Sequence, residues 1–274
     1  MMKVHPNTLA AYLEVAKQAA MEAGNVLKKY FRKLDASMIE EKAANDFVTD
    51  VDRRSEQIIK NHIITHFSDH AILAEESETQ TNTSPFLWII DPLDGTANYI
   101  HGVPAFAISI ALEIKGELCM GIVYDPIKAD IFSAVKGQGA SKNGKPIHVS
   151  LQKNLNDSLI ATGFPFRKKN IVDTYVKIFR ELLNHASDMR RCGSASLDLA
   201  YTADGIFGGF FEYALSPWDI AAGVLLVQEA GGITTDFNGK NNYLKTGNII
   251  AGSKIIHNEL LKIIQSNDPN YFEK

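Results

Sequence analysis

Between Leu9 and Leu34 the apolar side chains recur at intervals of three and four: Leu9, Leu13, Ala16, Ala20, Ala23, Leu27, Phe31, Leu34. That period predicts an amphipathic helix over residues 8–34, capped by Asn7 or Thr8. A polar link, "DASMIEEKAANDFVT", leads to a second helix from about Asp52 to Phe67 with Ile59, Ile63 and Phe67 on one face. Thr49 and Asp52 have capping-box spacing at its start. His62, His66 and His70 fall off the apolar stripe. They read as a solvent-facing row, because no His or Cys cluster accompanies them as zinc ligands.

From Leu73 the period shortens. "AILAEE" and "PFLWIID" read as short buried strands, the second stopping at Asp91. "AFAISIALEI", "ELCMGIVYD" and "IFSAVKG" follow as an antiparallel meander, and "SKNGKPIHVS" carries an Asn-Gly hairpin signal. Residues 1–150 therefore read as an α+β unit, two helices against an antiparallel sheet. Over residues 151–274 strands and helices alternate. "SLIATGF", "IFGGFFEY", "GITTDF" and "NIIAGS" are the strands. The helices lie near 171–184, in "SASLDLAYTADG", in "SPWDIAAGVLLVQEAGG" with Pro217 in its first turn, and in "IIHNELLKII". This alternation predicts a second sheet with helices packed on it, an α/β unit.

Composition narrows the class. A chain of 274 residues with 45% hydrophobic and 22% charged content is an ordinary globular protein with a substantial core. A net charge of −4 argues weakly against nucleic acid or anionic membrane as the main partner. Cys119 and Cys192 are too few and too distant for a disulfide framework, which fits a reducing compartment. The longest apolar run, around "VPAFAISIALEI", is too short for a bilayer. The expectation is a soluble, cytoplasmic protein.

The candidate chemistry centres on "WIIDPLDGTANY", where two aspartates three apart follow a hydrophobic run and precede Gly-Thr. Further acids with suggestive context are Asp50, Asp52, Glu75, Glu76 and Asp219. Oxygen-only ligands favour Mg²⁺, Mn²⁺ or Ca²⁺ over zinc. A helix starting at Gly95-Thr96 presents N–H groups to anions. Together they point to a metal-dependent enzyme acting on a phosphate ester. Plainer roles compete: Asp52 and Asp219 as helix caps after Thr49 and Ser216, Glu75-Glu76 as a surface pair, Asp91 and Asp94 as an Asx turn around Pro92. Cys192, beside Arg190 and Arg191, reads as a core thiol.

"AEES" (Ala74–Ser77), "WIIDPLDGTANYIHGVP" (Trp88–Pro104) and "SPWDIAAGVLLVQEAGG" (Ser216–Gly232) resemble the signature blocks of the inositol monophosphatase family. "NDFVTDVD" (Asn45–Asp52) and "RRCGSASLDLAY" (Arg190–Tyr201) match as well, so the resemblance spans nearly the whole chain in order. It implies a layered α-β-α-β-α sandwich, a lithium-sensitive, Mg²⁺-dependent phosphatase of inositol monophosphate, and a homodimer. It further implies that Glu75, Asp91 and the Leu93 carbonyl hold one Mg²⁺, while Asp91, Asp94 and Asp219 hold a second, with Glu76 helping to place a weaker third. Asp52 and Thr96 would orient and deprotonate the attacking water. The N–H groups of Gly95 and Thr96 would grip phosphate, and Asp94, Gly193, Ser194, Ala195 and Glu212 would touch the polyol. Tyr99 stands where the family more often has Phe. Hydrolysis of fructose 1,6-bisphosphate, histidinol phosphate or a 3′-phosphonucleotide stays open. So does a regulatory protein that contacts RNA or RNA polymerase.

Overall fold

The computed structural model of the chain describes residues 6–43, 46–77, 84–166 and 168–268. The first helix, α1 (Pro6–Tyr30), buries Leu9, Ala16, Ala20, Ala23 and Leu27 as the spacing requires. It stops short of Leu34, because Arg32 adopts a left-handed backbone with φ 59°. The side chains of Asn7 and Thr8, the expected caps, lie outside the described residues. The polar link is more ordered than its composition predicts. It holds an antiparallel hairpin, β1 (Ile39–Ala43) and β2 (Asp46–Thr49), with a register shift between Glu41 and Ala43. Next comes α2 (Asp50–His66), opened by the expected Thr49–Asp52 capping box.

A seven-stranded sheet follows: β3 (Ala71–Ala74), β4 (Phe86–Asp94), then after a short helix α3 (Thr96–Ile100), β5 (Ala107–Ile114), β6 (Glu117–Asp125), β7 (Asp130–Val135), β8 (Ala140–Lys142) and β9 (Lys145–Pro146). Its strands lie side by side in chain order. It is not purely antiparallel, since β3 and β4 run parallel with the chain crossing between them. Consecutive left-handed residues at Lys115-Gly116 and Asn143-Gly144 make the two tight hairpins, the second at the predicted Asn-Gly pair.

The second sheet has five strands, in the order β11 (Asp188–Arg190), β10 (Leu159–Thr162), β12 (Gly209–Glu212), β14 (Ile249–Gly252), β13 (Ile233–Thr235). Threaded between them are α4 (Val172–His185), α5 (Ala195–Ala203), α6 (Pro217–Glu229) and the short α7 (Tyr243–Thr246), and α8 (Lys254–Asn267) follows the last strand. β11, in "DMRRCG", and α7 carry no clear sequence signal.

Alternation along the strands separates three cores. Trp88, Ile90, Ile110 and Ile122 face α1 and α2. Ile89, Ala111 and Val123 pack against α5 and α6, whose other side meets Ala161, Phe210 and Ala251 of the second sheet. Ile160, Phe211 and Ile250 face α4 and α8. This is the layered α-β-α-β-α sandwich. α6 is apolar all round, as a helix between two sheets must be: Ile220 to Val227 is buried without interruption. No helix among the described residues is long and apolar enough to cross a membrane.

Candidate active site

β4 continues through Asp94 rather than ending at Asp91. On a regular strand, residues three apart point to opposite faces. Here the ladder slips: Asp91 pairs with Ser109 and Asp94 with Ala107, which leaves an extra residue on β4. This bulge turns both carboxylates to the side of α5 and α6. The Asx contact anticipated around Pro92 is present too, with the Leu93 N–H donating to Asp91 Oδ1 at 2.9 Å. Ser55 Oγ donates to the Pro92 carbonyl at 2.8 Å and Thr96 Oγ1 to the Leu93 carbonyl at 3.0 Å, so the bulge is held from both sides.

Asp219 reaches the same point from the first turn of α6. It accepts from the Ser216 N–H at 2.7 Å in a capping box, and Ser109 Oγ ties the neighbouring Trp218 carbonyl back to β5 at 3.2 Å. One oxygen from each of Asp91, Asp94 and Asp219 lies within 4.8 Å of the others. Asp91 is 1% exposed, and the charged groups acting on it, Glu75, Asp94 and Asp219, are all acids. Burial first and these neighbours second push its carboxyl well above the usual range. Burial also raises Asp94, opposed by the hydroxyls of Ser196 and Ser194 and by the Ser196 N–H, which converge on Oδ2 at 2.5, 2.7 and 2.7 Å. A buried all-acid cluster is costly unless a cation neutralises it. An all-oxygen donor set of this kind fits Mg²⁺ or Ca²⁺.

Beside the cluster, Asp52 is fully buried. Its Oδ2 accepts from the Thr49 N–H at 2.9 Å and the Thr49 hydroxyl at 2.5 Å, while Oδ1 accepts from Thr96 Oγ1 at 3.0 Å. Burial raises its carboxyl, and these bonds from Thr49 and Thr96 pull the other way. Capping and site geometry thus coexist in one residue, as they do in Asp219.

Asp91, Asp94 and Asp219 line one cleft of about 410 Å³, and Asp52 stands behind Thr96 outside its lining. Glu75 enters it from the end of β3; Gly95, Thr96, Gly193, Ser194, Ala195 and Glu212 line it as well. Glu212, at the end of β12, lies against Gly163 and is pushed well above the carboxylate range by burial and then by Asp198. Glu76 and Asp50 are not among the lining residues: the Glu76 N–H bonds Glu56 at 2.8 Å, and Asp50 sits 3.7 Å from Arg53. Cys192 is half-buried, and its thiol is pushed up to about 12 by burial and then by Asp198, so the core-thiol reading holds.

Several contributors escape sequence reasoning. Ser196 orients Asp94. Asn98 Nδ2 donates to the carbonyls of Ala105 and Cys192, at 2.6 and 2.8 Å, and so fastens the Gly193 loop to α3. Phe164, Phe166 and Arg191 form the outer wall, with the guanidinium over both rings at 5.4 and 5.2 Å. Asn98 and Ser196 sit inside quoted blocks, but nothing local marks their partners.

Comparison with known proteins agrees with this architecture. The model of the inositol monophosphatase family matches residues 8–268. Nus factor SuhB of Escherichia coli (strain K12) is 48% identical over 242 residues, which span 88% of this chain and 91% of that protein. Among solved structures, the extragenic suppressor protein suhB from Bartonella henselae superposes with a TM-score of 0.89 at 40% identity, covering 93% of this chain and 98% of its own. Inositol monophosphatase from Anabaena (Nostoc) sp. PCC 7120 gives 0.85 at 39% identity, covering 94% and 97%. The chain belongs to the inositol monophosphatase family.

Proposed function

We propose that the chain is a Mg²⁺-dependent phosphomonoesterase that releases inositol and phosphate from myo-inositol monophosphate. The observation that carries this reading is the buried convergence of Asp91, Asp94 and Asp219. In this reading Glu75, Asp91 and the Leu93 carbonyl hold one ion, Asp91, Asp94 and Asp219 a second, and Glu76 lies near a third. Mg²⁺, when bound, supplies Lewis acidity toward phosphoryl oxygens and acidifies water. The chain does the rest. Thr96 Oγ1 has one proton and two acceptors in reach, Asp52 Oδ1 and the Leu93 carbonyl, both at 3.0 Å. Donating to Asp52 leaves a lone pair that accepts from the attacking water, so the proton passes toward the carboxylate as phosphorus is attacked. Gly95 and Thr96 N–H groups bind the phosphate, and Asp94, Gly193, Ser194, Ala195 and Glu212 contact the alcohol. The outward face of α4 carries an exposed apolar stripe, Val172, Val176 and Leu183, which suits a second copy in the homodimer.

Phosphate release should be compared across inositol 1-phosphate, fructose 1,6-bisphosphate, histidinol phosphate and a 3′-phosphoadenosine compound. Inositol 1-phosphate should give the highest kcat/KM. Asp94→Asn should keep the melting temperature within a few degrees yet lose activity on the order of 100-fold or more. A folded Asp94→Asn protein with near-normal turnover defeats the two-ion assignment.

A second reading has its own support: the Escherichia coli relative bears the name Nus factor. A net charge of −4 therefore does not set nucleic acid aside as a partner. A regulatory protein that contacts RNA or RNA polymerase would retain that contact in the inactive Asp94→Asn form, which separates the two roles.

A further inference from the structure

Asp198, on α5, is buried to 1% exposure, and it lines the cleft. A buried carboxylate normally has its lone pairs filled. Here the Cys192 thiol donates to the carboxylate, while Oδ1 is buried with no hydrogen-bond partner. Helix capping does not explain it. Ser194 already caps α5, accepting from the Leu197 N–H. Nor does a role in the fold, for which an apolar residue would pack without an unfilled acceptor. Asp198 is the strongest charged neighbour of Glu212, and Arg191 acts on both.

We propose that Asp198 is a specificity-determining residue: with Glu212 it accepts hydrogen bonds from two hydroxyls of the leaving alcohol, so the cleft selects a polyol that presents a pair of donors. The ligand class follows from the charges. An anion would meet Asp94, Asp198 and Glu212 together, and a further cation would meet Arg191. A neutral group rich in O–H donors meets neither penalty and fills the unpaired oxygen. This assignment rests on the polyol-phosphate reading above and adds a residue to it.

The test compares wild type, Asp198→Ala and Asp198→Asn on inositol 1-phosphate and on phenyl phosphate, whose leaving group has no further hydroxyls. Asp198→Ala should lower the ratio of kcat/KM values, inositol 1-phosphate over phenyl phosphate, on the order of tenfold, mostly through KM. Asp198→Asn keeps an acceptor oxygen and should recover part of that loss. Binding of free myo-inositol, followed by ligand-observed NMR in Mg²⁺ and phosphate, should weaken on the order of tenfold in Asp198→Ala. Melting temperature should stay level or rise, since an unfilled buried acceptor is removed. An unchanged ratio overturns the proposal, as do equal losses on both esters with a fall of several degrees in melting temperature. If wild type prefers a different phosphate ester, the inositol assignment fails alone. Asp198 is then judged on that ester. Loss of the ester's advantage over phenyl phosphate supports the proposal where the leaving alcohol carries two further hydroxyls. A preference for an ester whose alcohol has fewer, such as histidinol phosphate, overturns it. A wild type that prefers no ester over phenyl phosphate overturns both.

Discussion

Gly163 holds open the place that Glu212 occupies. A Cβ built on it would lie 1.8 Å from Glu212 Oε1 and 2.0 Å from Cδ, far inside contact distance. Gly163→Ala should therefore push the carboxylate aside without touching Asp91, Asp94 or Asp219. KM for inositol 1-phosphate should rise on the order of tenfold with the Mg²⁺ dependence unchanged, because one hydrogen bond to the alcohol is at stake. Steady-state kinetics at several Mg²⁺ concentrations would check this, and an altered Mg²⁺ requirement would show that Glu212 supports the ion site instead. At this scale the sequence is legible wherever chemistry is concentrated locally, as in "DPLDGT". It is silent on Ser196 and Asp198, whose partners Asp94 and Glu212 come close only through the packing of α5. Gly163 has an ordinary look as well; only the folded neighbour reveals why a side chain is excluded.

Elements with a strong period were readable and irregular ones were not. α2, α6 and the meander follow from spacing. The hairpin β1–β2 is hidden in a charged stretch whose register shift breaks the alternation a strand normally displays. The bulge in β4 was missed for a similar reason: a one-residue slip leaves no mark in composition. His70 is the clearest correction. A spacing of four suggested a helix face with His62 and His66, and those two do stack near the surface, with His62 on Glu22 at 2.7 Å. However, α2 ends at His66, so His70 follows a turn and is buried just before β3. Phe86 and Phe67 stack on its ring, and Trp88 Nε1 donates to Nδ1 at 3.0 Å, so the neutral ring carries its proton on Nε2. Burial lowers its pKa, with Asp69 opposing. The unfolded chain then binds a proton near pH 6.5 that the folded chain resists, so this residue favours folding above that pH and costs stability as pH falls below it. His257, also lowered by burial, has the same sign. The melting temperature of wild type minus that of His70→Gln should therefore shrink between pH 7.5 and 5. A difference independent of pH would show that folding leaves the pKa of His70 unchanged.

At the scale of the whole molecule, the acidic cluster joins parts that the chain makes far apart. Asp91 and Asp94 come from the first sheet, and Asp219 comes from the helix packed between the two sheets. Without a cation their mutual repulsion works against the contact of β4 with α6, although the apolar layers on either side hold it closed. A divalent ion that binds only the folded arrangement adds RT ln(1 + [L]/Kd), about 2.7 kcal/mol at a hundredfold excess over Kd. In a chain of this size that corresponds to a rise in melting temperature of roughly 5–10 °C. Scanning calorimetry in EDTA and in Mg²⁺ should show the rise in wild type and most of it lost in Asp219→Asn. In EDTA the same variant should melt close to wild type, because relief of repulsion offsets the weakened cap, itself worth about 1 kcal/mol. Ca²⁺ tolerates irregular geometry and should stabilise as well as Mg²⁺ while inhibiting phosphate release. Absence of any Mg²⁺ shift in wild type would remove the ion from the site, and an undiminished shift in Asp219→Asn would reduce Asp219 to a helix cap.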